Sequence, residues 1–223
     1  ELTHISPKVS SKIKGIEQLF LKKQIFEKFI EKFRGIGIDE AVIEEPLLRS
    51  NNVNTCGTLL RFNGMISDCI YNNLGIVPVY ISSYDARMRS FPELMSIRKF
   101  NKKAKIYPIT HIKKALKDSH LVLFGAYPYD VDKKVVMMNK VNEVYPNIDW
   151  IQNNKGELKK ENYDACDSLV CALAYVNINR HGIEKPVITQ SLISQGHGKP
   201  TEIQYTMEMW GKTYERDITL YKS

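Results

Sequence analysis

The sequence predicts an α/β fold in which helices flank a mixed sheet. Two features of its hydrophobic residues support this prediction. Apolar residues recur at helical spacing over residues 7–34, 58–74 and 130–144 of the 223-residue chain, as in helices that pack against a core. Short apolar runs at residues 38–44 and 76–81 lie between these segments and have the length of buried strands. Helices that alternate with strands in this way are typical of α/β proteins.

The C-terminal residues predict a β-hairpin. Apolar residues alternate over residues 203–209, Trp210 and Gly211 supply a turn, and residues 214–221 return, which is the pattern of two antiparallel strands. A hairpin alone is marginally stable in water, so we expect its apolar face to pack on the rest of the protein or on a partner.

We expect the chain to have two parts. A main domain covers residues 1–182, and a C-terminal extension covers residues 183–223. Within the extension, the Gly-containing segment 194–200 predicts a flexible hinge. Hydrophobic residues make up 43% of the chain, and no run approaches the ~20 apolar residues of a membrane span, so we expect a globular protein without a membrane segment.

The four cysteines predict a reducing compartment. Cys56, Cys69, Cys166 and Cys171 include no C-x-x-C pair, and the last two point to different faces of a predicted helix. We expect four reduced, mostly buried thiols. The abundance of Asn, Lys and Ile indicates an AT-rich coding genome, as in many phages and low-GC bacteria. The expected location is therefore the cytoplasm of a bacterial cell or of a phage-infected host.

Positive charge is concentrated in the middle of the chain. Ten Lys and Arg residues lie between residues 87 and 117 against one acid, Glu93, and the whole chain has a net charge of +7. Clustered charge of this kind favours a polyanion such as DNA, and a solvated basic loop is the alternative. The candidate DNA-contacting residues in this stretch are Arg87, Arg89, Lys102, Lys103 and Lys105.

A basic pair opens a predicted helix further along. Lys133 and Lys134 lie in its first turn, where the helix dipole disfavours cations. A DNA phosphate held at the helix N-terminus would explain the pair, and an ordinary surface pair is the alternative.

Two acidic residues open a predicted apolar helix. Asp164 and Asp167 are three positions apart, so both carboxylates lie on one face, and no charged residue occurs over residues 168–179. Carboxylates at the edge of a core cost free energy unless a cation or hydrogen-bond donors compensate them. A hard divalent cation such as Mg²⁺ is one compensator. Favourable placement at the positive end of the helix dipole is the alternative.

A second acidic site follows a predicted strand. Residues 41–43 (Ala-Val-Ile) lead into Glu44 and Glu45, and Pro46 ends the strand because it has no N–H to donate. We expect the carboxylate to emerge at the C-terminal end of the strand, where α/β folds place their chemistry. Two solvated glutamates at a strand exit are the alternative.

Together these motifs resemble those of the RuvC family of Holliday-junction resolvases, which are metal-dependent nucleases with a ribonuclease H-like fold. Glu44 matches the family's strand-end glutamate. Asp164-Ala-Cys-Asp167-Ser-Leu matches its Asp-Ala-x-Asp-Ala/Ser-Leu helix start, and the order of elements matches over about residues 1–180. The resemblance implies a ribonuclease H-like mixed sheet flanked by helices, with a basic insertion near residues 90–119.

The family's fourth acid, an aspartate in its first strand, has no match in this sequence. Residues 1–6 precede the first predicted helix and contain no aspartate, so we expect the first strand to be missing from the chain. The matched acids are Glu44, Asp164 and Asp167, and Glu45 is a second-choice ligand.

The resemblance implies an endonuclease that acts on branched DNA, such as a four-way junction, as a homodimer. Glu44, Asp164 and Asp167 would be the catalytic residues and would bind Mg²⁺ or Mn²⁺, two ions per site. The basic residues would hold backbone phosphates. Two other classes stay open. One is a catalytically inactive ribonuclease H-like module that binds branched DNA. The other is a phosphotransferase of the sugar-kinase type, which the lack of a glycine-rich phosphate loop disfavours.

Overall fold

The computed structural model describes residues 3, 5, 8–46, 53–94, 132–184, 187–194 and 201–220. These residues form a mixed α/β structure, which confirms the predicted fold class at that level. The chain divides into two compact units. The first comprises Glu1–Ala86 and Asn142–Ala172, and the second comprises Arg87–Val141 and Leu173–Ser223. This division differs from the boundary at residue 182 that the sequence predicts.

The first unit contains a parallel pair of strands. Strand β1 (Val42–Glu44) pairs with strand β2 (Val79–Ile81), and helix α2 (Val53–Leu74) lies between them in the sequence. Each strand has three residues. Both strands therefore begin later in the sequence than the apolar runs predict, and they end where the runs end. The ladder extends one bond beyond β1, because Glu45 N donates to Ile81 O at 2.8 Å.

Helix α1 (Gly15–Ile30) packs against α2 and forms the core of the first unit with it. The buried residues of this core are Ile30, Cys69 and Ile70. The partly buried apolar residues around them are Phe26, Phe33, Ala41, Ile43, Ile66, Leu74 and Ile76. The core therefore joins both helices to β1 through Ile43.

Two helices begin at different residues from those that the sequence predicts. Helix α1 begins at Gly15 rather than near residue 7, because Lys14 is extended (φ −130°, ψ 167°) and Gly15 has φ +67°. Helix α2 begins at Val53, five residues before the helical segment that the sequence predicts from residue 58. Thr58 Oγ1 donates to Asn54 O at 2.9 Å, which satisfies a polar side chain within the helix itself.

A short helix that the sequence does not predict follows β2. Helix α3 (Ser83–Ser90) is preceded by Ser82, whose hydroxyl accepts a hydrogen bond from Asp85 N at 3.0 Å. The same hydroxyl donates to Asp85 Oδ2 at 2.7 Å. This reciprocal arrangement resembles a capping box and fixes the start of the helix.

Helix α4 (Lys133–Val144) matches a predicted helix, with one correction to its buried face. The buried residues are Met137, Met138 and Val141. Val135 is one of the apolar residues at helical spacing from which the sequence predicts this helix, but it is 39% exposed. At 100° per residue, Val135 lies roughly 110° around the helix from the buried stripe.

Helix α5 (Glu161–His181) is the predicted helix with two aspartates. Residues 146–160, which precede it, contain turns and one isolated bridge between Gln152 and Leu158. Over the ranges that the structure describes, no helix is both long and apolar enough to cross a membrane.

The C-terminal residues form a three-stranded antiparallel sheet in the second unit. Strands β4 (Thr201–Met209) and β5 (Lys212–Leu220) make the predicted hairpin. The turn residues Trp210 and Gly211 both have positive φ (54° and 69°), as type I′ turns require. Strand β3 (Val187–Ser194), which the sequence does not predict, pairs with β4. Most of the predicted hinge lies outside the described residues.

Trp210 connects the hairpin turn to the end of α5. Its ring stacks on His181 with the centroids 5.2 Å apart, and its Nε1 donates to Gly182 O at 3.2 Å. Its backbone N–H donates to Glu184 Oε2 at 3.0 Å. The neighbouring Met209 is buried, so the hairpin has an apolar side that packs within the second unit.

All four cysteines are buried and free of disulfides, as the sequence predicts. Burial raises the pKa of the Cys69 thiol, and the nearby Glu27 raises it further. A raised pKa lowers the thiolate fraction at neutral pH, so Cys69 is a packing residue of the core.

Two glycines, one within α2 and one directly after it, provide a paired test of this fold. Gly64 lies within the helix with open space around an added Cβ, so Gly64→Ala should stabilise the protein by roughly 0.5–1 kcal/mol through helix propensity. Gly75 follows the helix with φ +72°, so Gly75→Ala should destabilise it by about 1 kcal/mol or more. Urea denaturation measures both changes. Shifts of the same sign would contradict the placement of the end of α2.

Candidate functional site

Glu44 is the last residue of β1, and its side chain is exposed. It pairs with Ile81 in the parallel register. The ladder continues to Glu45 and then meets Pro46, which ends it as predicted because proline has no N–H. The carboxylate therefore lies at the C-terminal edge of a parallel pair, which is the edge where α/β folds bind ligands.

Asp164 and Asp167 lie in the first two turns of α5, as the sequence predicts. Asp164 is exposed, and Asp167 is half-buried. The buried apolar residues of the same helix are Cys166, Val170, Cys171 and Ala174. The two acids thus lie where an apolar helix begins, and the positive end of its dipole stabilises the charge of Asp164 in the first turn.

Asn162 fixes the start of α5, a role that the sequence pattern does not reveal. The residue is 1% exposed. Its Oδ1 accepts from Ile151 N at 2.9 Å, and its Nδ2 donates to Ile151 O at 2.8 Å. The Asn162 amide therefore binds both backbone polar groups of Ile151, the N–H and the carbonyl. Asn162 lies two residues before Asp164. An asparagine near a helix start indicates an ordinary N-cap, so the sequence alone does not reveal this contact between Asn162 and Ile151, which we call the Asn162 clamp.

The three predicted acids, Glu44, Asp164 and Asp167, belong to the same compact unit. Their chemistry fits Mg²⁺ or Mn²⁺, because hard divalent cations prefer carboxylate oxygens. Among the residues with described positions, no three or more His, Cys, Asp or Glu side chains form a group that could hold a metal ion. The structure thus places the acid of β1 and the pair of α5 in one unit without gathering them into one ligand set.

Arg89 has a structural role in the second unit. It is 5% exposed, and its Nη1 donates to Glu184 O at 3.2 Å. Its own carbonyl accepts from Asn177 Nδ2 at 2.7 Å. This burial argues against the DNA contact that the sequence predicts for Arg89, because a buried guanidinium does not reach a phosphate backbone.

The other basic candidates differ in exposure. Arg87 is half-buried on α3, and Lys134 is exposed in the first turn of α4. Lys134 N also donates to Asp132 Oδ1 at 2.9 Å, which caps that helix. Lys133 is the first residue of α4. Lys102, Lys103 and Lys105 lie outside the described residues, together with most of the predicted basic insertion.

Comparison of this chain with protein-family models, curated proteins and solved structures finds no match. A functional assignment therefore rests on the residues of the chain itself, on their chemistry and on their positions in the fold.

Asp164 and Glu161 separate metal binding from helix-dipole stabilisation, because both are exposed acids in the first turn of α5. We expect Mn²⁺ to raise the thermal unfolding midpoint of the DNA-free protein. A ligand at a hundred times its Kd stabilises the folded state by about 2.7 kcal/mol. Asp164→Asn should lose most of this shift, and Glu161→Gln should keep it.

The two variants lose a similar dipole interaction, about 0.3–1 kcal/mol each, so their stabilities without metal should be close. The difference between them should appear when Mn²⁺ is added. Equal responses to Mn²⁺ would show that Asp164 is only a helix-end charge.

Proposed function

We propose that this chain is a metal-dependent endonuclease that hydrolyses phosphodiester bonds in branched DNA, such as four-way junctions. One observation carries the proposal. Glu44 ends a strand that pairs in parallel, Asp164 and Asp167 are one turn apart at the start of an apolar helix, and all three belong to one compact unit. These positions resemble those of the acids in RuvC-type resolvases. The proposal includes a ribonuclease H-like arrangement of the sheet.

Glu44, Asp164 and Asp167 would hold the metal ions. Carboxylates suit this role because they are anionic and hard. When bound, two Mg²⁺ or Mn²⁺ ions activate a water molecule and stabilise the leaving oxygen of the phosphodiester. Glu45 is exposed beside Glu44 and is the second-choice ligand. The proposal requires Glu44 to join the two aspartates in one ligand set when metal binds.

The basic residues would hold the DNA backbone, which gives affinity without sequence information. Lys134 and the segment with Lys102, Lys103 and Lys105 are the candidates for these contacts. The proposal also includes a homodimer, because two-fold symmetry brings two active sites to symmetry-related strands of a junction. The proposed location is the cytoplasm of a bacterial cell or of a phage-infected host.

Asp167→Asn tests the catalytic role of the helix pair. Loss of a residue that only supports a metal ligand costs about 10–100-fold, so loss of a ligand should lower Mn²⁺-dependent cleavage of a labelled four-way junction by more than about 100-fold. Binding of the junction should be unchanged, because the phosphate contacts lie elsewhere. Glu161→Gln is the control and should cleave at the wild-type rate.

The outcomes of this test separate the possible roles of the protein. Cleavage by Asp167→Asn within tenfold of the wild-type rate would exclude Asp167 as a ligand. If the wild-type chain binds the junction and does not cut it in Mg²⁺ or Mn²⁺, the protein is a binding module without catalysis.

Neutralising Lys102, Lys103 and Lys105 tests the basic segment. Each lost phosphate contact should reduce the slope of log affinity against log salt by roughly 0.9, and binding should weaken by a similar factor for all DNA sequences. A variant that neutralises Lys8, Lys12 and Lys14, which are exposed in the first unit, is the charge-matched control. Equal slopes for the two variants would show that the basic segment has no special role.

A further inference from the structure

Hydrogen bonds from α2 reach Glu44 and both strands of the parallel pair. Asn63 Nδ2 donates to Glu44 O at 3.4 Å. The backbone carbonyl of Asn63 accepts from Ser67 Oγ at 2.9 Å. The Tyr80 hydroxyl lies within hydrogen-bonding distance of Ser67 Oγ and of the same carbonyl, which is 3.3 Å away, and its single proton serves one of these two acceptors. Because Tyr80 lies on β2 opposite Ile43, this network links α2 to β1 and to β2.

The carbonyl of Glu44 lies on the edge of β1 that faces away from β2. In a parallel pair, alternate residues direct their backbone groups toward the partner strand. The hydrogen bonds at the two ends of the ladder use Ala41 O and Glu45 N, so the backbone groups of these residues face β2. The backbone groups of Val42 and Glu44 therefore face the other edge of β1. The Glu44 carbonyl therefore takes no part in the β1–β2 ladder, and Asn63 supplies its donor.

We propose that Asn63 is a positioning residue for Glu44, and this inference rests on the proposed endonuclease function. The peptide unit that joins Glu44 to Glu45 is held on both sides. Glu45 N donates to β2 at 2.8 Å, and the Asn63 amide binds the carbonyl of the same peptide. A fixed peptide sets the direction in which the Glu44 side chain leaves the strand.

Ordering of this kind favours metal binding. A ligand that is already oriented loses less conformational freedom when the ion arrives, and residues that orient ligands affect metal affinity about 10–100-fold. Ser67 and Tyr80 in turn restrain the backbone of Asn63 through its main-chain carbonyl. The network therefore connects the packing of α2 to the geometry of the proposed metal ligand.

A merely structural role for Asn63 gives a different expectation. If Asn63 only stabilises the fold, its loss should lower the thermal midpoint and leave the Mn²⁺ requirement of the folded protein unchanged. If it positions Glu44, its loss should raise the Mn²⁺ requirement, and saturating Mn²⁺ should restore most of the cleavage rate.

Asn63→Leu tests the inference, because leucine has nearly the shape of asparagine and no amide donor. The matched control is Asn72→Leu on the same helix, where Nδ2 donates to Asp68 Oδ1 on the exposed surface. The measurements are the Mn²⁺ concentration for half-maximal cleavage of a four-way junction and the thermal midpoint without metal. We expect Asn63→Leu to raise that concentration at least about tenfold and Asn72→Leu to leave it unchanged.

Asn63→Gln, which keeps the amide donor, is measured in parallel. If Asn63→Leu lowers the thermal midpoint more than the control does, Asn63→Gln decides. A Mn²⁺ requirement near that of the wild type supports positioning, and a requirement as high as that of Asn63→Leu overturns it. An unchanged requirement in Asn63→Leu also overturns the inference and leaves the endonuclease proposal intact. If the wild-type chain neither cleaves the junction nor binds Mn²⁺, the endonuclease proposal fails, and the inference fails with it.

Discussion

The parallel pairing of β1 with β2 is the constraint on which the rest of the first unit depends. Parallel strands cannot be joined by a tight turn and need a long crossover, which is usually a helix. Here the crossover is α2, which buries one face against α1 at Ile30, Cys69 and Ile70. Burial of one large apolar side chain contributes roughly 1.5–3 kcal/mol, against about 0.5–1.5 kcal/mol for a hydrogen bond such as that of Asn63. Packing therefore stabilises the pairing of β1 with β2, and the polar contacts of α2 act at the C-terminal edge of the two strands.

Helix α5 combines an apolar body with an acidic start, and burial decides how these fit together. The helix dipole stabilises an acid in the first turn by about 0.3–1 kcal/mol, which is less than the cost of burying an uncompensated charge. Accordingly, Asp164 is exposed and Asp167 is only half-buried. The Asn162 clamp holds the first turn in this position.

Local signals predicted most of the elements, and contacts distant in sequence explain why β3 and the burial of Arg89 were missed. The hairpin was predictable because alternation and the Trp210-Gly211 turn are local, whereas β3 depends on pairing across the predicted hinge. The basic cluster gave no sign of the burial of Arg89, whose partner Glu184 is 95 residues away. The acids were recognisable by type and spacing. Whether they meet in one ligand set depends on tertiary contacts, and so does the contact of Asn63 with a strand 19 residues away.

Radical cleavage from bound Fe²⁺ tests most directly whether Glu44, Asp164 and Asp167 bind the same ions. Fe²⁺ substitutes for Mg²⁺ at carboxylate sites and, with ascorbate and peroxide, generates hydroxyl radicals that cut the backbone close to the ion. We expect cuts near both Glu44 and Asp164, suppression of both by excess Mg²⁺, and loss of both in Asp164→Asn. Cuts near one of the two positions alone, or cuts near Glu44 that persist in Asp164→Asn, would contradict a shared metal site.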